Sequence, residues 1–188
     1  RMLGEAAKRR NSYIAAGIYE REGSTVYNTS VLIDRSGKVA GKYRKVYIPR
    51  EEIEGGITPG VDYPVFQTDF GTVGMMICWD VQYADPARAL ALRGAELVLM
   101  PIWGGNETLG KARAIENRVF VAASGYNYPT YVMDPNGELL AAATENGYAS
   151  FCVRGRLLVR TRNDTCTFCT ATEMPSLVSA FTSSRVRN

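Results

Sequence analysis

The chain has 188 residues, 46 % of them hydrophobic and 22 % charged, with a net charge of +3, a balance that suits one globular domain with a sizeable core and gives no reason to expect disorder. The small positive charge gathers at KRR near the start and in the last 35 residues rather than on an aromatic-laced face, which argues against nucleic acid as a partner. No histidine is present, so Ser-His-Asp and Cys-His catalysis and most mixed-ligand zinc sites are excluded, and any chemistry must use Cys, Lys, Asp, Glu or Tyr.

In chain order, RMLGEAAKRRN reads as the end of an amphipathic helix that leads into the apolar strand YIAAGIY, a start in mid-domain. VYNTSVLID and KVAGKYRKVYI follow as strands joined by DRSGK, whose Asp, Ser and Gly favour a tight hairpin turn. PREEIEGGITPG holds two prolines, three glycines and three glutamates, which predicts a loop without regular structure over most of its length. YPVFQTDFGTVGMMIC supplies two strands around a glycine turn, and DPARALALRG a helix ending on glycine. AELVLMP (buried strand), ETLGKARAIENR (helix) and VFVAASGY (strand) then alternate as an α/β sheet does, and YVMDPNGELLAAA closes in a hairpin around DPNG. From about residue 152 the sequence is rich in Thr, Ser and Arg without a sustained period. We therefore divide the chain into a domain over 1–151 and an atypical tail over 152–188.

The four cysteines, at 78, 152, 166 and 169, are too few for a secreted disulfide framework. The longest apolar runs, such as AELVLMPIW, fall short of the roughly 18 residues needed to cross a bilayer, and no charged-then-apolar signal segment opens the chain. A cytoplasmic protein with no membrane partner is expected. Two motifs carry little. Gly105, Gly110 and Lys111 sit almost as in a phosphate-binding loop, but Ala112 stands where a Ser or Thr must hold magnesium. Cys166 and Cys169 form a lone CTFC pair with no second pair or histidine to complete a metal site.

Cys78 is different. A cysteine ending an apolar run is ordinarily core, yet this one stands where a strand passes into a helix, the sharp turn that lifts a nucleophile out of a sheet. Backbone N–H groups after such a turn can bind a developing oxyanion. Lys45 ends KYRKV, and we expect Lys45 and Cys78 at the carboxyl-side ends of strands of one sheet.

GKYRKVYIPREEIEGGITPG, YPVFQTDFGTVGMMICWD, ARALALRGAELVLMPIW and ARAIENRVFVAAS, in that order and spacing, resemble the nitrilase superfamily of carbon–nitrogen hydrolases over roughly residues 3 to 145. The resemblance implies an α/β fold of αββα sandwich type and a Glu, Lys and Cys triad, with Cys78 as nucleophile and Lys45 as catalytic lysine. It implies a further glutamate in the loop after the lysine, for which the context IEGGITPG favours Glu54 over Glu52. The backbone N–H of Trp79 would join Lys45 at the oxyanion, and Glu116 and Asn117 match a supporting EN pair. The family's Pro-Glu after the nucleophile is replaced by Ala84 and Asp85, with Arg88 kept, so Asp85 is expected to contact Arg88 or to cover the elbow. The family's general base is a glutamate well upstream of the lysine. Glu5, Glu20 and Glu22 are the acids available before Lys45, and none has the expected context, so the chain reads as a fragment incomplete at its N-terminus. The implied activity is hydrolysis of small amides or N-carbamoyl compounds by water through a thioester, with no metal or organic cofactor, in a homodimer or higher homo-oligomer. The competing reading is a non-catalytic homologue with a dimerising or regulatory role.

Overall fold

The computed structural model describes residues 1–103, 106–125 and 130–143, and the backbone alone of 178–182. Helix α1 (Met2–Arg10) ends on left-handed Asn11 and leads into β1 (Tyr13–Glu22), β2 (Thr25–Ile33) and β3 (Val39–Arg44). These strands form an antiparallel meander. The β2–β3 turn is built by Asp34, whose Oδ1 accepts from the Ser36 and Lys38 N–H groups while Gly37 takes φ 82°. Asp134 and Gly137 repeat the same device between β9 (Thr130–Met133) and β10 (Leu139–Ala143). Both are side-chain-closed Asx turns in which glycine supplies the positive φ. The β2–β3 register shifts between Leu32, opposite Gly41, and Ile33, opposite Val39, so Ala40 is an extra residue on β3.

The segment 49–60 is more regular than its composition predicts. It holds the short helix α2 (Arg50–Glu54) and the strand β4 (Ile57–Thr58), which pairs in parallel with β2. Pro49 sits just before the first turn, and Gly55 and Gly56 follow the last one, so Pro and Gly bound the helix instead of abolishing it.

The second sheet runs β10-β9-β8-β7-β6-β5. Its β5 (Val65–Thr68) and β6 (Gly71–Met75) form a hairpin, while β6, β7 (Leu97–Ile102) and β8 (Phe120–Gly125) are parallel. Helices α3 (Asp85–Leu92) and α4 (Glu107–Asn117) make the crossovers. In the tail, outside the described residues apart from one backbone segment, β11 (Val178–Thr182) pairs in parallel with β1.

Strand β7 shows how the layers stack. All six of its residues are buried, and their successive side chains enter opposite cores. Leu97 and Leu99 join Ala15, Leu32, Tyr43, Val73, Met75 and Ile77 between the sheets. Val98, Met100 and Ile102 join Ala87, Leu90 and Ala114 beneath α3 and α4. On the far side Ala7 of α1 packs on Ile14 and Ile33. The layers are therefore helix, sheet, sheet, helix, the expected αββα sandwich. Among the described residues no helix is long and apolar enough to cross a membrane.

Candidate active site

Cys78 opens a 3₁₀ turn, Cys78–Gln82, just past β6. It is half-buried, forms no disulfide, and is among the described residues one of three non-glycine residues with positive φ, at 44°. A side chain held in the left-handed region costs of order 1–3 kcal/mol and persists where its surroundings over-determine it. Here they do. The Met76 N–H donates to Leu99 O, holding the end of β6 on β7. The buried guanidinium of Arg113 on α4 donates to the carbonyls of Val81 and Gln82 at the other end of the turn, 3.1 and 3.4 Å away. Glu116 accepts from Arg113 at 2.7 Å and from Asn117 at 3.3 Å, so the EN pair steadies the arginine that holds the elbow.

Lys45 follows β3 directly. It lies after the first sheet and Cys78 after a strand of the second, which corrects the expectation of a shared sheet: the chain crosses between sheets through residues 45–64, and the two strand ends face each other across the inter-sheet core. The Lys45 main chain is fixed on both sides, its N–H donating to Asn28 O at 2.8 Å and its carbonyl accepting from Gly60 at 2.7 Å. Gly60 is required there, because a Cβ would sit 2.2 Å from the Arg44 carbonyl oxygen. The Lys45 side chain is 0 % exposed, and its Nζ lies 2.7 Å from Glu52 Oε1. Asn28 Nδ2 also donates to both Glu52 oxygens, at 3.3 and 3.2 Å. Burying an ammonium is costly unless it is paired and hydrogen-bonded, and Glu52 supplies that partner here.

Of the two candidate loop acids, the structure brings Glu52 to Lys45. Glu54 points into solvent, 70 % exposed, and lies 3.7 Å from Arg50. Two residues apart on a helix are about 200° apart around its axis, so α2 can aim only one of them inward. The acid beside Lys45 is thus Glu52 and not the expected Glu54. Glu52 also lines an open cavity of about 480 Å³ with Tyr19, Val26, Glu51, Gly55 and Ile57.

The elbow and the lysine segment are joined by Asp80, which is fully buried. Its Oδ2 accepts from the Ile77 N–H at 2.8 Å and from the Tyr43 hydroxyl at 2.7 Å, and its Oδ1 from the Tyr47 N–H at 3.0 Å. Burial raises the Asp80 pKa, opposed by these three hydrogen bonds and by the charge of Lys45. Burial and the Asp80 charge push the Tyr43 hydroxyl up as well, so it stays a neutral donor. Sequence reasoning missed Asp80, Tyr43 and Arg113, whose only signal was their place beside Cys78, Lys45 and the EN pair, and Asn28, which had no such signal. Trp79 follows Cys78 with its residue 40 % exposed. Asp85 takes the Tyr47 hydroxyl at 2.8 Å rather than the expected Arg88, and Tyr47 stacks on Tyr83 at 4.0 Å.

The three upstream acids are engaged elsewhere. Glu5 pairs with Arg1 and Glu22 with Arg44. Glu20 accepts from Arg44, Lys42 and Thr29, and hydrogen bonding to Arg44 leads the effects that hold its pKa down to about 2. A carboxylate so depressed is a poor proton acceptor near neutral pH. Among the described residues no group of three or more His, Cys, Asp or Glu is placed to hold a metal ion.

Known proteins share this arrangement of elements. A probable nitrilase of Schizosaccharomyces pombe is 30 % identical over 151 residues, covering 71 % of this chain and 55 % of that protein. A Homo sapiens omega-amidase is 30 % identical over 171 residues, covering 75 % and 60 %. The chain thus spans little more than half the length of these relatives. Among solved structures, a mutant of a Nesterenkonia amidase from the nitrilase superfamily superposes with TM-score 0.69 at 28 % identity, covering 75 % of this chain and 60 % of that one. Another mutant of that amidase, at TM-score 0.68 and 28 % identity over 76 % and 61 %, shows covalent addition of the acetamide moiety of fluoroacetamide at its active site cysteine. The model of the carbon-nitrogen hydrolases matches residues 1–149, and with the sandwich and the strained elbow cysteine already in view, the chain belongs to that family.

Proposed function

We propose that the protein hydrolyses small amides or N-carbamoyl compounds through a thioester on Cys78. The observation that carries this reading is the buried Lys45, its ammonium on Glu52, on a segment hydrogen-bonded to the turn that begins at Cys78. The Cys78 sulfur attacks the carbonyl carbon, and negative charge builds on the oxygen. Lys45 and the Trp79 N–H receive that charge, since N–H groups in a first helical turn lack intrahelical acceptors. The C–N bond then breaks, the amine leaves with a proton, and water hydrolyses the thioester to the acid and free thiol. Glu52 holds the lysine in place. We assign the proton shuttle to a glutamate outside the described residues, because Glu5, Glu20 and Glu22 are committed to arginine and lysine partners. Relatives named omega-amidase and citrullinase support the substrate classes, and the fluoroacetamide adduct on the Nesterenkonia amidase supports the nucleophile.

The test is peptide-resolved mass spectrometry after fluoroacetamide treatment, paired with amide turnover. We expect the adduct on Cys78, and Cys78→Ala to lose both adduct and turnover, because the acyl intermediate has no other carrier at the site. Turnover by Cys78→Ala within about tenfold of wild type, an effect too small for loss of a nucleophile, overturns the assignment.

A further inference from the structure

We propose that Asp80 is a positioning residue that sets the Lys45 ammonium against the Cys78 elbow, through one hydrogen bond within the elbow and two to the lysine segment. This rests on the roles proposed for Cys78 and Lys45. The geometry separates it from an ordinary turn cap. A cap would need only the local bond from Ile77, with the Asp80 N–H returning to Ile77 O at 3.0 Å. The other two bonds reach residues 37 and 33 positions away in sequence. Their donors, Tyr43 and Tyr47, stand two residues before and two after Lys45, so one carboxylate grips the lysine segment on both sides. The Tyr43 hydroxyl in turn accepts from the Val46 N–H at 3.3 Å, which extends the grip to the peptide that follows Lys45. Ile77, the remaining donor, is the residue before Cys78. Displacing either catalytic group by about 1 Å can cost on the order of 10² in rate without weakening binding, and Asp80 is bonded to both sides of that distance.

Asparagine keeps the shape of Asp80 but presents an N–H₂ where one donor now finds an oxygen, so Asp80→Asn breaks the clamp without opening a cavity. We expect it to lower kcat by about 10² while KM stays within about threefold, the pattern for an interaction felt mainly in the transition state. Tyr43→Phe, which removes a single bond and leaves the backbone grip, should lower kcat by about five- to tenfold with KM likewise steady. The double variant should be no worse than Asp80→Asn by more than about twofold, because both changes act through one carboxylate. Thermal melts confirm that each variant is folded at the assay temperature. Should Asp80→Asn fail to fold, Tyr43→Phe decides, and an unchanged kcat there overturns the proposal. So does a kcat for folded Asp80→Asn within about threefold of wild type, or losses that multiply in the double variant. Fluoroacetamide labelling of the wild type keeps the two readings apart: no adduct on Cys78 would sink the nucleophile, whereas a labelled wild type with an indifferent Asp80→Asn sinks the clamp alone.

Discussion

Arg44 and Lys45 are adjacent cations at the end of one strand, and they leave it in opposite directions. Arg44 ends in a network near the surface, 2.9 Å from Glu20 and 3.0 Å from Glu22, with its guanidinium 3.8 Å over the Tyr27 ring. Lys45 ends inside, paired with Glu52 and near the buried Asp80. The first environment is redundant, since Glu20 also accepts from Lys42 and Thr29. In the second the ammonium is fully enclosed, with Glu52 as its ion-pair partner. Ion pairs of the first kind contribute little and are interchangeable, while a charge of the second kind is strong toward whatever approaches it. Two residues of the same charge are thus sent to opposite environments by the alternation of a β-strand, and the proposed function gives chemistry to the enclosed one.

The largest expected effect breaks the comparison at the lysine. Lys45→Met should lower kcat by about 10²–10³ through loss of charge at the oxyanion, with circular dichroism still native, whereas Arg44→Met should leave turnover within about twofold, as for a surface pair. If instead the lysine variant unfolds and the arginine variant stays folded but inactive, the division has been drawn the wrong way round.

A smaller effect sharpens it within α2. Glu52→Gln should reduce turnover by about tenfold or more, since a charged hydrogen bond to the lysine is weakened to a neutral one, and Glu54→Gln should alter it by no more than about twofold, as for an exposed residue. Steady-state kinetics on the pair decides between them; a reversed order would return the role to Glu54.

The smallest effect lies on the exposed side. The Glu20 pKa is depressed in the folded chain from 4.5 to about 2. A lowered folded value means that its contribution is present above about pH 4.5 and is lost as pH falls toward about 2. Glu20→Gln should therefore cost on the order of 1 kcal/mol near neutrality and flatten the loss of stability over that acid window. Denaturant melts at a series of pH values measure this, and parallel curves for variant and wild type would show that Glu20 adds nothing.

What could be read from the sequence was local. The turns at Asp34 and Asp134 follow from Asp and Gly at a spacing that one side chain can close, and the elbow from an apolar strand meeting a helix start. The context that favours Glu54 over Glu52 carries no helical phase, and it is helix α2 that turns Glu52 toward Lys45 and leaves Glu54 exposed. Asp80 stayed hidden because acids are ordinarily exposed and its partners lie more than thirty residues away. That Lys45 and Cys78 follow strands of different sheets was hidden for the same reason: which sheet a strand joins depends on pairings distant in sequence, such as β4 with β2 and β11 with β1.

The extra residue at Ala40 gives β3 a parity. Past that bulge, odd positions such as Tyr43 and Lys45 are directed inward and Arg44 outward, an assignment that a one-residue insertion between the bulge and Tyr43 would invert, carrying the arginine into the core and the lysine into water. Length changes between the bulge and Lys45 are thus tolerable in twos and not in ones, because each single residue exchanges the two faces of the strand.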